Sequence, residues 1–257
     1  MASIEAEEIL HNLDFEEVIW HPDFASVWAL IDDGNIACLP VENSYMWTIH
    51  DNLYGFLKHD HKIIWEIELP INHCLLSKEK SISDVKSVYS QRPALSQTTN
   101  YCNEKWIKQL DFSDTAGSAK MLSEKEKPWC WAIASRLAWE IYWLNILDEG
   151  IQDQKGNSTR FFVVAPRGSS IDFPEKKWKV SIIFEGSNVP SALYKCLWAF
   201  ATNGINLTKI ESLPSFKTPY TNYFWLDFEW NLEDKKVISA LKELEFFTKN
   251  IKILWDY

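Results

Sequence analysis

The sequence predicts an α/β protein in two parts, the second a βαββαβ unit of the ferredoxin-like plan. Three observations carry this. Short apolar runs alternate with helical periodicity over the first 165 residues. A stretch rich in breakers and poor in apolar residues, Pro166-Arg-Gly-Ser-Ser-Ile-Asp-Phe-Pro174-Glu-Lys-Lys177, then interrupts the pattern as a linker. After it the signals run strand, helix, strand, strand, helix, strand.

Taken in order, Ile36–Val41 reads as a short strand that ends in Glu42-Asn43-Ser44. Ile63–Leu69 alternates weakly, and Ser87–Tyr89 is a further short strand. The longest helix is expected over about Trp131 to Leu147, with Ile133, Leu137, Ile141 and Leu144 on one stripe and Asp148-Glu-Gly150 closing it. The apolar run Phe161–Ala165 precedes the linker. Beyond it, Trp178–Phe184 is a strand, and Pro190 opens a helix behind Asn188 as its cap. That helix runs to Asn203-Gly204, a C-terminal stop. Strands follow near Asn206–Ser212 and Asn222–Phe228. Val237, Ala240, Leu241, Leu244 and Phe247 share one face of the last helix, which ends near Asn250 before a strand at Ile251–Leu254.

Composition narrows the function. The chain of 257 residues holds 26 basic and 36 acidic side chains, a net charge of −10, with 46% hydrophobic residues. It can therefore bury a core, and the acidic balance argues against nucleic acid or an anionic membrane as partner. The start, Met-Ala-Ser-Ile-Glu-Ala-Glu-Glu, has no basic or apolar leader signature, and no run approaches 18 uncharged apolar residues. The expectation is a soluble cytoplasmic protein. Cys38, Cys74, Cys102, Cys130 and Cys196 show no Cys-x-x-Cys, which makes them free thiols. No dinucleotide fingerprint, P-loop, His-Glu-x-x-His or Gly-x-Ser-x-Gly is present. His59-Asp60-His61 has residue types that could bind a metal, but on a polar lysine-rich stretch no metal is expected. Asn157-Ser-Thr159 and Asn206-Leu-Thr208 read as chance glycosylation sequons.

Arginine is confined to Arg92, Arg136, Arg160 and Arg167. Arg160 follows Thr159, which sets a hydroxyl donor beside a fork suited to a carboxylate. The wider pattern gives this pair meaning. Pro40-Val-Glu-Asn-Ser44, Glu66-Ile-Glu-Leu-Pro70, Tyr89-Ser90, Ala94-Leu-Ser-Gln97, Asp114-Thr-Ala-Gly117, Ala132-Ile-Ala-Ser135 and Thr159-Arg-Phe161 occur in one order at family spacing. Together they resemble prephenate dehydratase. Val189-Pro-Ser-Ala-Leu193 and Asn206-Leu-Thr-Lys-Ile-Glu-Ser212 resemble that family's regulatory ACT domain.

The resemblance implies a two-lobed periplasmic-binding-protein-like catalytic domain over 1–166 and an ACT domain over 177–257. It implies a lyase that converts prephenate to phenylpyruvate with loss of carbon dioxide and water, in phenylalanine biosynthesis, without a cofactor. Thr159 matches the hydroxyl the family needs for activity; Asn43, Ser44, Thr48, Ser90, Gln97, Arg160 and Phe161 match residues of its substrate cleft. Pro190, Ser191, Ala192, Leu193, Glu211 and Ser212 match stretches associated with phenylalanine as effector. A homodimer or homotetramer is expected. The alternatives are an arogenate dehydratase and a non-catalytic amino-acid-sensing homologue.

The sequence also departs from the family. The first strand and a Gly-Pro-x-Gly-Thr-type loop are expected ahead of the helix on which this chain starts. Gln91-Arg92-Pro93 replaces the usual residues after Tyr89-Ser90, Ser191 stands in the usual Gly-Ala-Leu, and Leu213 stands in the usual Glu-Ser-Arg-Pro. Glycine numbers 8, about 3% against a usual ~7%, while tryptophan reaches 14. Trp47, Trp65, Trp143, Trp230 and Trp255 all fall where the family usually has glycine. One cause would cover all five: a gene that uses UGA for glycine, translated with UGA as tryptophan. Trp20, Trp28, Trp106 and Trp225 lie in aromatic or variable settings and read as genuine.

Overall fold

A computed structural model describes residues 19, 21, 23–81, 85–124, 130–170, 179–215 and 221–256. The linker signal at 166–177 and the strand start at Trp178 therefore fall largely outside the described residues. The chain divides into two compact units, and it passes from one to the other at Val41/Glu42, Thr48/Ile49, Ile67/Glu68 and Arg160/Phe161.

The first unit comprises Glu42–Thr48 and Glu68–Arg160. It holds the tail of β1 (Ala37–Asn43), β2 (Trp47–Thr48), and a five-stranded mixed sheet. That sheet is ordered β6 (Lys108–Asp111), β5 (Ser87–Ser90), β7 (Cys130–Ala134), β4 (Cys74–Ser77), β8 (Asn145–Glu149). β5 pairs parallel with β6 and β7, whereas β4 pairs antiparallel with β7 and β8. Side chains alternate across the sheet with period two. Cys74, Leu76, Ala132 and Ala134 pack on one face with Ala119, Leu122 and Leu144. Leu75, Trp131 and Ile133 pack on the other with Val88, Leu95 and Ile107. The helices of this unit are α3 (Arg92–Ser96), α4 (Thr99–Glu104), α5 (Thr115–Glu124) and α6 (Arg136–Tyr142).

The expected long helix over Trp131–Leu147 is overturned. Residues 130–134 form β7, α6 spans only Arg136–Tyr142, and Asn145–Glu149 form β8. The reason is tertiary. Trp131, Ala132, Ile133 and Ala134 are all buried at 1% or less, two on each face of the sheet. A strand buried on both faces loses its alternation of polar and apolar residues, so a helical stripe can be drawn through it.

The second unit runs to Val41, over Ile49–Ile67 and from Phe161 onward. It contains α1 (Phe24–Asp32), most of β1, α2 (His50–Lys58), β3 (His61–Pro70, to Ile67) and β9 (Ser158–Pro166, from Phe161). The four-stranded sheet is ordered β2-β1-β9-β3. The C-terminal part is β10 (Val180–Gly186), α7 (Ala192–Thr202), β11 (Leu207–Pro214), β12 (Asn222–Phe228), α8 (Lys235–Glu245) and β13 (Thr248–Asp256). Its sheet is antiparallel and ordered β11-β12-β10-β13. Val180, Ile182 and Phe184 of β10 meet Cys196 and Phe200 of α7 and Val237, Ala240 and Leu244 of α8. Ile183, Leu213, Trp225 and Leu254 pack instead with Leu39, Val41, Ile63, Phe162 and Val164. On that same inner face, the buried Asp227 carboxylate accepts hydrogen bonds from Ser181 Oγ (2.7 Å) and Trp225 Nε1 (2.6 Å).

The start of α7 corrects a second expectation. The helix begins at Ala192, its cap is Ser191 in a left-handed conformation (φ 62°), and no side chain caps it; Asn188 plays no such role. α8 likewise ends at Glu245 rather than near Asn250, because Thr248–Asp256 are drawn into the ladder with β10. No helix among the described residues is long and apolar enough to cross a membrane.

Candidate active site

The site is built from the inside out around Asn157, which is 3% exposed. Its Oδ1 accepts hydrogen bonds from Asn43 Nδ2 (2.9 Å) and Ser44 Oγ (3.2 Å), and its Nδ2 donates to Gln97 Oε1 (3.0 Å). Gln97 Oε1 also accepts from His73 Nε2 at 2.8 Å. A chain of hydrogen bonds thus joins β1, α3's C-cap, the segment before β4, and the entry to β9. All of these residues belong to the first unit.

Local backbone chemistry fixes the two strands that carry this chain. Asn43 Oδ1 accepts from the amides of Tyr45 (3.1 Å) and Met46 (2.9 Å), an Asx-type closure of the turn between β1 and β2. That turn is bolted to the start of β9: Ser44 N donates to Ser158 O (2.9 Å), Ser158 N donates to Ser44 Oγ (3.0 Å), and Tyr45 Oη donates to Lys155 O (2.9 Å). On the far side, the Asp153 amide donates to Gln97 O (2.7 Å) while its carboxylate accepts from Asn100 N at the start of α4.

Thr159 sits at the centre. It is 9% exposed, and its Oγ1 accepts a hydrogen bond from Asn43 Nδ2 at 2.9 Å. With a lone pair engaged by an amide donor, the hydroxyl keeps its own proton to give away. Arg160 next to it is largely buried, and one guanidinium nitrogen lies 3.8 Å from Glu42 Oε2. An acid-labile oxygen leaving a substrate would meet a positioned O–H donor here, and a carboxylate would meet a fixed cation.

Of the residues expected from the sequence, the structure brings Asn43, Ser44, Gln97 and Thr159 into one network, with Arg160 at its edge. Thr48 lies on β2, opposite Glu42 in register. Phe161 follows in the chain as the first residue of the second unit. Ser90 is fully buried, and its hydroxyl donates to Ile133 O at 2.6 Å, which ties β5 to β7 rather than reaching the Thr159 network. Pro190 and Ser191 lead into α7, and Ala192 and Leu193 are its first two residues. Glu211 and Ser212 lie on β11, with Glu211 Oε1 3.3 Å from His50 Nε2.

Two residues of the network were not visible as site residues in the sequence. Asn157 reads there as half of a chance sequon, although it stands two residues before Thr159. His73 carries no sequence signal. Burial holds its imidazole below the usual histidine range, against an opposing pull from the Gln97 hydrogen bond, so the ring donates through Nε2 as a neutral group.

Among the described residues, one set could hold a metal: Asp32, His59 and His61, whose donor atoms lie within 4.8 Å of one another. The third member is Asp32 and not the intervening Asp60, which turns to Arg167 (2.8 Å) and Lys252 (3.1 Å). Asp32 oxygens meet His59 Nδ1 at 2.8 Å and His61 Nε2 at 2.9 Å directly. A recess of about 580 Å³ beside His59 is lined by residues of the second unit only, among them Lys58, Arg167 and Lys252, and shares none with the Thr159 network.

A family profile described as prephenate dehydratase matches residues 6–169. The chain belongs to the prephenate dehydratase family. It is 39% identical over 236 residues to arogenate dehydratase/prephenate dehydratase 1 of Arabidopsis thaliana, across 86% of this chain and 60% of that one. It is 37% identical over 235 residues to the prephenate dehydratase of Methanocaldococcus jannaschii, across 90% of this chain and 84% of that one. The chain thus spans 60% of the length of the Arabidopsis relative, as it does of several others it matches. Among solved structures it superposes on prephenate dehydratase from Arthrobacter aurescens in complex with L-Phe, with a TM-score of 0.82 and 27% identity over 93% of this chain and 80% of that one. A structure described as a novel type of quorum quenching acylase gives a TM-score of 0.80 and 30% identity over 90% and 85% of the two chains. The fold is α/β with mixed sheets, as in the prephenate dehydratase structures.

Proposed function

We propose that this member of the prephenate dehydratase family is a lyase that converts prephenate to phenylpyruvate, releasing carbon dioxide and water. The observation that carries it is the Thr159 hydroxyl, nearly buried and accepting a hydrogen bond from Asn43, which leaves its own proton available for donation. Prephenate is a dicarboxylate that must lose a ring hydroxyl. Arg160 supplies a cation for a carboxylate, and Thr159 supplies a hydrogen bond to the departing oxygen. Loss of the carboxylate supplies the electrons and aromatisation the driving force, so the reaction needs no cofactor. A neutral hydroxyl is a poor acid near pH 7. Placement and electrostatics therefore carry the rate, a role proposed for the hydrogen-bonded Asn43–Asn157–Gln97 chain. Asn43, Ser44, Thr48, Gln97, Arg160 and Phe161 are proposed to line the substrate site, with Ser90 supporting its wall from the sheet.

The same reading assigns residues 1–166 to a two-lobed catalytic domain of periplasmic-binding-protein type and 177–257 to an ACT domain. The strand order β11-β12-β10-β13, with α7 and α8 on one face, supports a ferredoxin-like ACT unit. Phenylalanine is proposed to bind it near Pro190–Leu193, Glu211 and Ser212, and a homodimer or homotetramer in the cytoplasm is the proposed setting. Arogenate is the second substrate to test, since the Arabidopsis relative carries both activities in its name. An acylase would need an activated nucleophile beside a base. Among the described residues the group that bonds Thr159 Oγ1 is an amide donor, which cannot take its proton.

The experiment is to follow phenylpyruvate from prephenate, and phenylalanine from arogenate, with purified protein, with and without L-phenylalanine. Turnover of either substrate sustains the dehydratase reading, and the faster one names it. Binding of phenylalanine with no product from either substrate would make the protein a sensor instead.

A further inference from the structure

We infer that positions 47, 106 and 143 carry glycine in the protein the cell makes, their codons being UGA read as glycine. The first ground is backbone conformation. Among the described residues the glycines at positive φ are Gly34 (99°), Gly150 (67°), Gly156 (85°) and Gly204 (69°). The other residues there are Trp47 (66°), Trp106 (57°), Trp143 (54°) and Ser191 (62°). A side chain in the left-handed region crowds the following carbonyl, so this region belongs to glycine and, less often, to asparagine or aspartate. Tryptophan is 14 of 257 residues, about one in eighteen, yet it fills three of these four places. The fourth, Ser191, also stands where the resemblance expects glycine.

The second ground is what the left-handed residue does at each place. After α4 the Trp106 amide donates to Asn103 O (3.2 Å) and the Ile107 amide to Cys102 O (2.8 Å). These are the paired bonds of a Schellman helix end, with residue 106 at its left-handed position. The chain closes two other helices identically. After α1, Gly34 N donates to Ile31 O (3.0 Å) and Asn35 N to Leu30 O (3.2 Å). After α7, Gly204 N donates to Ala201 O (3.1 Å) and Ile205 N to Phe200 O (3.0 Å). Glycine holds the left-handed position in both, and the third copy holds an indole. Trp143 is the left-handed cap of α6, and Trp47 closes the tight β1–β2 hairpin, two further places where a glycine is the ordinary choice.

The third ground is that nothing repays the strain. The three residues are 80%, 92% and 92% exposed at 47, 106 and 143. Trp28 shows what a native tryptophan looks like in this fold. It is 3% exposed, its ring is edge-on to Phe56 at 4.9 Å, its Nε1 donates to Asn52 Oδ1 at 3.4 Å, and it lies against Gly55 where a Cβ would collide with the ring. Trp106 therefore joins the glycine set, contrary to its reading as genuine from sequence. Trp65, Trp230 and Trp255 have no positive φ, so the backbone makes no demand for glycine there.

For the site, the consequence falls at position 47. It lies opposite Asn43 in the hairpin that carries Asn43, Ser44 and Thr48, and glycine there removes a large exposed indole from the segment. Two measurements test the inference independently of any catalytic reading. The codons at 47, 106 and 143 are read from the gene, and peptides spanning them are weighed from the native protein. UGA codons with glycine in the peptides are expected; UGG codons with tryptophan in the peptides overturn the inference. In the tryptophan-containing protein, Trp106→Gly and Trp143→Gly are each expected to raise Tm by about 2–4 °C, while Trp28→Gly lowers it. A fall in Tm for both Trp106→Gly and Trp143→Gly would overturn the conformational ground.

Discussion

Replacing Asn157 by alanine tests whether the polar chain behind Thr159 sets the activity. The substitution removes three side-chain hydrogen bonds, to Asn43 Nδ2, Ser44 Oγ and Gln97 Oε1. None of the three partners is left wholly unpaired. Asn43 Nδ2 retains Ser158 O at 3.1 Å and Thr159 Oγ1, Ser44 Oγ retains the Ser158 amide, and Gln97 Oε1 retains His73. Each lost bond therefore costs its net value of about 0.5–1.5 kcal/mol rather than a full desolvation penalty, about 1.5–4.5 kcal/mol together. In a protein of this size that lowers Tm by about 3–18 °C. The effect on turnover is of a different kind. Without Asn157 the Asn43 amide loses one of the acceptors that aim it at Thr159, and the hydroxyl loses its fixed direction, so kcat should fall by about 10- to 100-fold while KM moves less. The assays are phenylpyruvate formation from prephenate and thermal denaturation on the same preparation. Asn157→Asp separates the two ends of the chain, because it keeps the acceptor for Asn43 and Ser44 and removes the donor to Gln97. A kcat for Asn157→Ala within twofold of the parent, in a protein whose Tm has dropped by the expected amount, would refute the positioning role and leave Asn157 a purely structural residue.

Thr159→Ala should lose about 10²- to 10³-fold in kcat with Tm little changed, and Thr159→Ser should recover most of it, as measured by turnover and melting. If the alanine variant turns over normally, the hydroxyl does not touch the reacting oxygen. Ser90→Ala should behave in the opposite way, losing about 0.5–1.5 kcal/mol of stability through its bond to Ile133 O while kcat holds; a large kcat loss at unchanged Tm would place Ser90 in the substrate site. Because burial depresses the His73 pKa, the unfolded chain binds the extra proton first as pH falls. Stability from this residue is therefore fully present above about pH 6.5 and is lost progressively below it. Denaturant titrations between pH 7.5 and roughly 5 should show that slope, reduced in His73→Leu, with a remainder from His61, whose pKa burial also lowers. An unchanged slope in His73→Leu would show that His73 is charged or exposed in the fold.

How much of this was legible beforehand follows from where each signal resides. The C-terminal strands and helices were readable because each buries one face. Val237, Ala240 and Leu244 repeat at helical spacing, and all are fully buried against β10. The candidate residues near Thr159 came from the resemblance, residue by residue, and the structure places Asn43, Ser44, Gln97 and Thr159 in one hydrogen-bonded network. β7 was not readable: a strand covered on both faces shows an unbroken apolar run, and only the sheet around it decides between strand and helix.

The sequence by itself determined the α/β class, the spacing of the cysteines, the acidic net charge and the family, and it singled out Thr159 and Arg160 as candidates. It also showed the imbalance between tryptophan and glycine, since composition needs no coordinates. Tertiary structure decided which polar residues act together. Asn43 and Asn157 are 114 residues apart and 2.9 Å in contact, a relation set by how β1 and the entry to β9 lie side by side. It also decided which tryptophans the backbone rejects, because φ is fixed by the hydrogen bonds of a helix end or hairpin and not by the residue placed there.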